Sequence, residues 1–437
     1  MTRESVLRKG WCPGVRRPMQ AKDGLLVRLR ISGGVVSALT LRGLSQAGRA
    51  HGSGLFDLSA RANLQMRGVR RESLPSLIET LDGLGLIDEN AAAEAVRNVL
   101  VSPLAGLDGR DDASSAAKAL EAALAANKAL HALPGKFGFL IDDGSALSLG
   151  PVPADIRFDW IGGKQPFAIG IGGHANEAIF LGLCGEDDIP DIASRLAWAF
   201  LRLRSQMAEP PRRMRGLLES RGAAAIAALA RLRPGPPRKI GVFEEPCPVG
   251  LLCFNERYCF GVGAAFGRLD ANMLDAAARA ADAFSAGEIR LTPWRALILP
   301  HVREQQADAM RAYFAAHGYI VDRGDARLAI AACGGASTCE RGTTDTRSDA
   351  LALMFFARQL CKTGVALHVS GCAKGCARQA PAPLTLVADA GRYDLVVDRT
   401  ARDAGTNNTK GLGLAAVREK LETMARNALR RSELEWQ

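Results

Sequence analysis

The sequence predicts an α/β protein with mixed α+β sheets, built as an internal duplication. Three observations carry this. Residues 23–69 and the stretch 233 positions further on share one register: Gly34 matches Gly267, Gly54 matches Gly287, Leu58-Ser59 matches Leu291-Thr292, and Val69 matches Val302. Each copy reads strand, glycine turn, helix, glycine turn, strand, with β-rich runs at 25–30, 55–58 and 63–67 and a helix over 37–50. An amphipathic stretch follows in each, at 72–85 and 304–317, which makes each copy a ferredoxin-like half.

Taken in order, residues 1–88 form the first ferredoxin-like half and 89–203 a larger mixed half. Residues 204–238 form an Ala-rich linker helix between PP and PGPP breakers. Residues 239–322 repeat the ferredoxin-like half and 323–437 the larger half. The latter closes with a helix over 411–431, entered through GLGLA. At the same offset Arg97-Asn98-Val99 and SPLAG face the segment holding Cys333 and Cys339. HALPGKFG (131–138) faces HVSGCAKGC (368–376).

A chain of 437 residues holds about three domain-sized units. With 48% apolar and 23% charged residues it has ample material for a core. No apolar run approaches the roughly 20 residues that span a bilayer. The N-terminal MTRESVLRKGWCPG has no apolar h-region, so no secretory signal is read. Ten cysteines without an export signal point to a reducing cytoplasm and no disulfides. The net charge of +10 fits an acidic small molecule or a generally basic surface. Scattered arginines, few aromatics and no helix-turn-helix or RNA-binding signature argue against nucleic acid.

Chemistry concentrates between Cys333 and Cys376. CGGASTC (333–339) and SGCAKGC (370–376) give C-x5-C and C-x3-C pairs. Structural zinc favours thiols two to four residues apart within each pair, so the five-residue spacer fits it poorly. Ferredoxin C-x2-C runs do not match either. Cys372 and Cys376 share a face if a helix starts at Ser370. Gly334, Gly335, Gly371 and Gly375 let backbone N–H groups approach an inorganic cluster. The competing reading is two unrelated pairs of buried cysteines. Four thiols within 44 residues, each pair beside glycines, favour one metal–sulfur site.

This spacing resembles the [4Fe–4S] signature of the sirohaem-dependent sulfite and nitrite reductase superfamily, an internally duplicated fold in which only the second copy holds the cluster. The resemblance implies a cluster on Cys333, Cys339, Cys372 and Cys376, with a basic tetrapyrrole pocket above it. The family's T-x-R motif is matched by Ser59-Ala60-Arg61 and its R-N-V motif by Arg97-Asn98-Val99. Its L-P-x-K-F-K motif is matched by LPGKFG at 133–138, where Lys136 is kept and Gly138 replaces the second lysine. Arg61, Asn63, Arg97, Asn98 and Lys136 are thereby the implied substrate-binding residues. Losing one lysine weakens a small-anion site, whereas the remaining cations suit carboxylates.

GWCPGVRRPMQAKDGLLVRL and SARANLQMRG are similar to the precorrin-3B synthase branch of this superfamily. That branch implies precorrin-3A, an acidic metal-free tetrapyrrole, hydroxylated at C20 with O2 and closed to a γ-lactone. Electrons would come one at a time through the cluster from NADH or a redox protein. An additional non-haem iron is implied without assignable ligands. A metal-free macrocycle leaves Cys376 no iron to bridge to. Two alternatives stay open: a sirohaem-dependent sulfite or nitrite reductase, and a non-catalytic tetrapyrrole-binding or electron-transfer iron–sulfur protein.

The remaining signals are weaker. Cys247, Cys253 and Cys259 recur every six residues, but along one strand they would lie roughly 20 Å apart, which favours core positions. Cys12-Pro13 and Cys247-Pro248 occupy nearly the same place in the two copies, and Cys184 and Cys361 read as core. The six histidines form no metal-spaced pair. His174 and His368 are the candidates for iron ligation or proton transfer. GIGGHA (170–175) lacks dinucleotide-loop spacing and is set aside.

Overall fold

The computed structural model describes residues 11–107, 113–164, 166–232, 245–360, 364–405 and 409–434. Its strands form four five-stranded sheets that come in two matching pairs. The first ferredoxin-like sheet orders Met19–Ala21, Gly24–Leu29, Leu64–Val69, Leu55–Leu58 and then Arg268–Asp270. Its counterpart orders Gly250–Phe254, Arg257–Gly263, Ala296–Val302, Glu288–Leu291 and then Val35–Ser37. Each sheet therefore ends in a strand donated by the other copy. Arg268 lies opposite Asp57, and Val36 opposite Ile289.

The duplication extends to helix chemistry. Ser37 and Asp270, again 233 apart, cap the helices Ala38–His51 and Ala271–Phe284 by accepting from the backbone N–H of Thr40 and Met273. The two helices lie against each other, with the Ser45 hydroxyl donating to the Ala271 carbonyl at 2.9 Å. Both helices bury small residues (Ala47 and Gly48 on one, Ala277, Ala278 and Ala281 on the other), Gly48 leaving room for Phe56, and one core is built jointly from both copies.

The larger halves also match. Val99–Val101, Phe139–Asp142 and Ala154–Trp160 are parallel neighbours, extended antiparallel by Phe167–Gly173 and Ile179–Cys184. Ile330–Ala332, Leu367–Ser370 and Ala382–Asp389 repeat this, extended by Arg392–Arg399 and Thr409–Leu412. The pairing corrects one expected match. Phe139–Asp142 corresponds to Leu367–Ser370, so the loop after Asp142 stands opposite SGCAKGC. LPGKFG precedes its strand and has no cluster counterpart. A drift of a few residues after 101 defeated the constant offset.

Two further expectations shift. The segment joining the copies is not detached: Met214–Leu229 packs on Ile189–Arg204 and on the sheet of the first larger half. Cys253 and Cys259 sit on the two strands of a hairpin, not on one strand. Cys259 is buried and Cys253 exposed, so the core reading holds for Cys259 alone. Cys184 is buried, Cys247 half-buried, and Cys361 lies outside the described residues. The closing helix begins at Leu414. Among the described residues no helix is long and apolar enough to cross a membrane.

Candidate active site

Ile330–Ala332 and Leu367–Ser370 are parallel neighbours, so the chain leaves both at the same sheet end. Cys333 follows the first strand directly and Cys372 lies two residues past the second, which brings distant pairs together. The Gly371 N–H donates to the Cys333 sulfur at 3.2 Å. A Cβ at Gly371 would lie 3.4 Å from that sulfur, so glycine keeps the approach open. The short helix Gly335–Thr338 carries the chain to Cys339, whose N–H bonds the Gly335 carbonyl at 2.9 Å. Gly335 has φ 61°, and a Cβ there would meet the Thr344 carbonyl at 2.6 Å.

The second pair departs from expectation. No helix starts at Ser370; Cys372 and Cys376 sit in consecutive turns, with Gly375 at φ 61°. The Ser370 hydroxyl donates to the Cys372 carbonyl at 2.7 Å. Both thiol loops are clamped from the ferredoxin-like halves. Arg67 donates to the Thr338 carbonyl at 2.9 Å and Arg295 to the Ala377 carbonyl at 2.5 Å.

The four thiols act on one another electrostatically. Burial raises the Cys372 thiol, and Cys339 and Cys333 push it further. Cys376 is exposed by surface area, although its sulfur has many neighbours. Burial pushes its thiol to about 11, with the other three sulfurs adding to the rise and Lys374 opposing it. Yet no three His, Cys, Asp or Glu side chains among the described residues stand close enough to grip a single metal ion. The thiols nevertheless feel one another, and an N–H is aimed at one sulfur, a donor set whose chemistry suits an iron–sulfur cluster.

Beside the thiols runs a basic cleft. Lys136 is pushed down by burial and feels Cys12, Lys374, Cys376 and Arg213. Arg213 also neighbours Arg61, which is pushed to about 10 by burial, then by Arg213 and by Arg28 and Arg30. Arg61 donates to the Pro153 carbonyl at 3.3 Å, while its other terminal nitrogen is buried without a partner. A Cβ at Gly138 would lie 2.6 Å from that nitrogen. The Arg61 guanidinium thus occupies the space that a side chain at position 138 would need.

The other anticipated residues divide. Arg97 is not a free cation: it pairs with Asp88 at 2.8 Å and Glu121 at 3.4 Å and donates to the Arg30 carbonyl at 2.9 Å. Asn98 donates to the Phe137 carbonyl at 2.9 Å and Asn63 to the Arg61 carbonyl at 3.0 Å, so both shape the loops that carry Lys136 and Arg61. His174 bonds the Pro151 carbonyl at 2.7 Å within its own half. His368 is fully buried beneath the second thiol loop, 3.6 Å from where a Gly375 Cβ would be, and neither ring nitrogen has a partner. Burial, then Arg295 and Arg378, pushes it to about 4, which keeps it neutral at pH 7.

Sequence reasoning missed Arg28, Arg30 and Arg213. Arg30 is 5% exposed, with its Nε unpartnered, and is pushed to about 10 by burial and then Arg28. The signal was available: alternate residues on the strand Gly24–Leu29 share a face, so Arg28 and Arg30 emerge together. Arg213 was hidden in the supposed linker. Its Nε pairs with buried Asp155 at 3.0 Å, and Asp155 also accepts from the Gly138 N–H at 2.9 Å.

One carboxylate fastens this site to the fold. Asp57 takes Arg268 from the exchanged strand at 2.8 Å, Arg347 from the helix behind the thiol loop at 2.8 Å, and Arg67 at 3.8 Å. Burial alone would raise its pKa, but Arg347, Arg268 and Arg67 outweigh that and hold it below its ordinary 3.8. A depressed carboxyl contributes stability that is full above that value and is lost as pH falls through the folded pKa. Asp57→Asn is expected to cost roughly 3 kcal/mol near pH 7 and to flatten the acid limb of thermal stability below pH about 4. An unchanged melting temperature across that range would refute the clamp.

Comparison with known proteins agrees with this fold. The family model for the nitrite/sulfite reductase ferredoxin-like half domain matches twice, at residues 17–84 and 255–317. A precorrin-3B synthase from Sinorhizobium sp is 31% identical over 425 residues, covering 96% of this chain and 89% of that protein. The chain belongs to the precorrin-3B synthase family of the sirohaem-type nitrite/sulfite reductase superfamily. A ferredoxin–nitrite reductase from Synechococcus elongatus is 27% identical over 408 residues, covering 84% of this chain and 77% of that one. The Mycobacterium tuberculosis NirA structure matches with a TM-score of 0.75 at 19% identity, over 92% of this chain and 80% of that one, which shows a shared fold. The relatives are oxidoreductases, and the internally duplicated α/β architecture expected from the sequence is theirs.

Proposed function

We propose that the chain is a precorrin-3B synthase that hydroxylates precorrin-3A at C20 and closes the ring A acetate to a γ-lactone. One atom of O2 enters the product and the other leaves as water, which consumes two electrons and two protons. A [4Fe–4S] cluster on Cys333, Cys339, Cys372 and Cys376 supplies one-electron transfer when bound, fed by NADH or a redox protein. The observation that carries the reading is the combination of gathered thiols with buried, under-partnered guanidinium groups on Arg30 and Arg61. Such cations are costly without anions, and an acidic macrocycle brings several carboxylates at once.

The side chains then have separable tasks. Arg30 and Arg61 hold peripheral carboxylates, and bidentate geometry fixes the ring's orientation. Burial lowers the Lys136 pKa, and a carboxylate beside it favours its charged form. Asn63, Asn98 and Arg97 position these loops, and Arg213 steadies Asp155 beneath Gly138. His368 is a neutral imidazole at pH 7, with one ring nitrogen protonated and the other free to accept a proton under the thiol loop.

Retained Arg61 and Lys136 also favour a second reading, a sirohaem-dependent reductase. Purification without oxygen, with iron, sulfide and sirohaem assayed, separates the two. The expected result is cluster iron and sulfide without sirohaem, and conversion of precorrin-3A with O2 to a product heavier by one oxygen atom. Sirohaem at one per chain would instead make this a reductase.

A further inference from the structure

Among the described residues His368 alone of the histidines is fully buried, and neither of its ring nitrogens has a hydrogen-bond partner. It stands on the strand Leu367–Ser370. The alternate residues Leu367 and Val369 enter the core with the helices Thr346–Leu360 and Leu414–Leu434. His368 and Ser370 therefore face the other way, on the side where the second thiol loop folds back.

The groups around the ring leave its N–H without an acceptor. Beside it in register are Ala331, which is apolar, and Thr385, whose hydroxyl donates to the Arg399 carbonyl at 2.9 Å. Ser370 gives its proton to the Cys372 carbonyl. Over the ring lies the turn at Gly375, where a Cβ would stand 3.6 Å from the imidazole Cε1. The Gly375 carbonyl already accepts from the Gln379 amide. The charges acting on the ring are Arg295 and Arg378, which donate to the Ala377 carbonyl at 2.5 Å and the Pro381 carbonyl at 3.1 Å. Two cations and burial disfavour a second ring proton, so the imidazole is neutral and carries one N–H. Buried donors without acceptors are rare in folded proteins, and one that persists calls for a partner.

The turn over the ring is the one that carries Cys372 and Cys376. Sulfur held by iron accepts hydrogen bonds, and the Gly371 N–H is already aimed at Cys333 in this way. We infer that His368 is the second such donor: it gives its ring N–H to a sulfur of the second thiol loop and thereby sets the reduction potential of the cluster. The inference rests on the cluster assigned above and names the residue that tunes it. Reduction adds one negative charge to the site. A buried N–H directed at sulfur stabilises that charge, so the donor raises the potential.

Potentiometric titration of the full chain purified without oxygen, followed by the electron paramagnetic resonance of the reduced cluster, tests this. His368→Leu fills the seat without a donor and is expected to lower the equilibrium constant for one-electron reduction at least ten-fold, a fall of about 59 mV. His368→Gln keeps an N–H and should lie between that variant and the parent. A ring that only packs would alter the melting temperature and leave both potentials at the parent value, which overturns the inference. A second measurement needs no variant. Pulsed resonance of the reduced parent protein, grown with nitrogen-labelled histidine, should show weak coupling to one histidine nitrogen, and a cluster without that coupling also overturns it. Parent protein lacking iron and sulfide would be the failure of the cluster reading itself, seen before any potential is measured, and the inference would fall with it.

Discussion

Replacing Cys372 with serine is expected to give a folded protein whose iron and sulfide fall to background, with loss of the visible charge-transfer absorption. The thiol sits at the hinge of the site. Gly371, its neighbour, donates to the Cys333 sulfur, and the Cys372 carbonyl anchors Ser370. Serine keeps that backbone bond, so the loop retains its shape while its hydroxyl offers iron a harder and far less acidic ligand. Cys372 is only half-buried, so its own packing contributes little stability. Circular dichroism should therefore match the parent protein stripped of iron. Unchanged iron and sulfide in the variant would remove Cys372 from the ligand set and, with it, the case for one cluster shared by two loops.

The sequence was most informative where chemistry requires a particular residue at a particular place. The glycines around the thiols and the repeat register from Gly34 to Val69 each answer a local demand and are legible without tertiary knowledge, whereas the caps Ser37 and Asp270, equally local, went unread. The strand exchange that joins the copies was not legible. Val35–Ser37 and Arg268–Asp270 are three-residue strands whose partners lie far away in the chain. Nothing in their composition says which sheet they extend.

Charge pairing was equally hidden. Arg97 carries the motif of a substrate cation, yet Asp88 and Glu121 neutralise it, and no pattern in the sequence announces that meeting. Arg30 has no motif partner but is, like Arg61, a buried guanidinium with an unpartnered nitrogen. Motif matching finds residue types; only geometry shows whether a charge has already been satisfied. The constant offset failed for a related reason. Loops before and after a strand tolerate insertion freely, so LPGKFG and SGCAKGC came into false register although their strands align differently.

Arg61 and Gly138 allow the sharpest test of the cleft. Arg61→Ala is expected to weaken tetrapyrrole binding by about 1.5–3 kcal/mol, the worth of a hydrogen bond to a charged group, while iron and sulfide stay at the parent level. Gly138→Lys restores the family's second lysine but places its Cβ 2.6 Å from the Arg61 guanidinium, so the arginine must move. The lysine adds a cation in a space where burial and Arg213 already depress Arg61, and Asp155 is already taken by Arg213 and the Gly138 N–H. Gly138→Lys should therefore bind the macrocycle more weakly than the parent despite its extra positive charge. Combined with Arg61→Ala, the lysine gains room, and affinity should recover part of what either single change loses. That sign pattern, two losses that offset each other, is a coupling only neighbouring groups produce. Strictly additive losses would mean that Arg61 and position 138 do not share the site, and tighter binding by Gly138→Lys alone would mean that the cleft responds to total charge and not to the placement of Arg61.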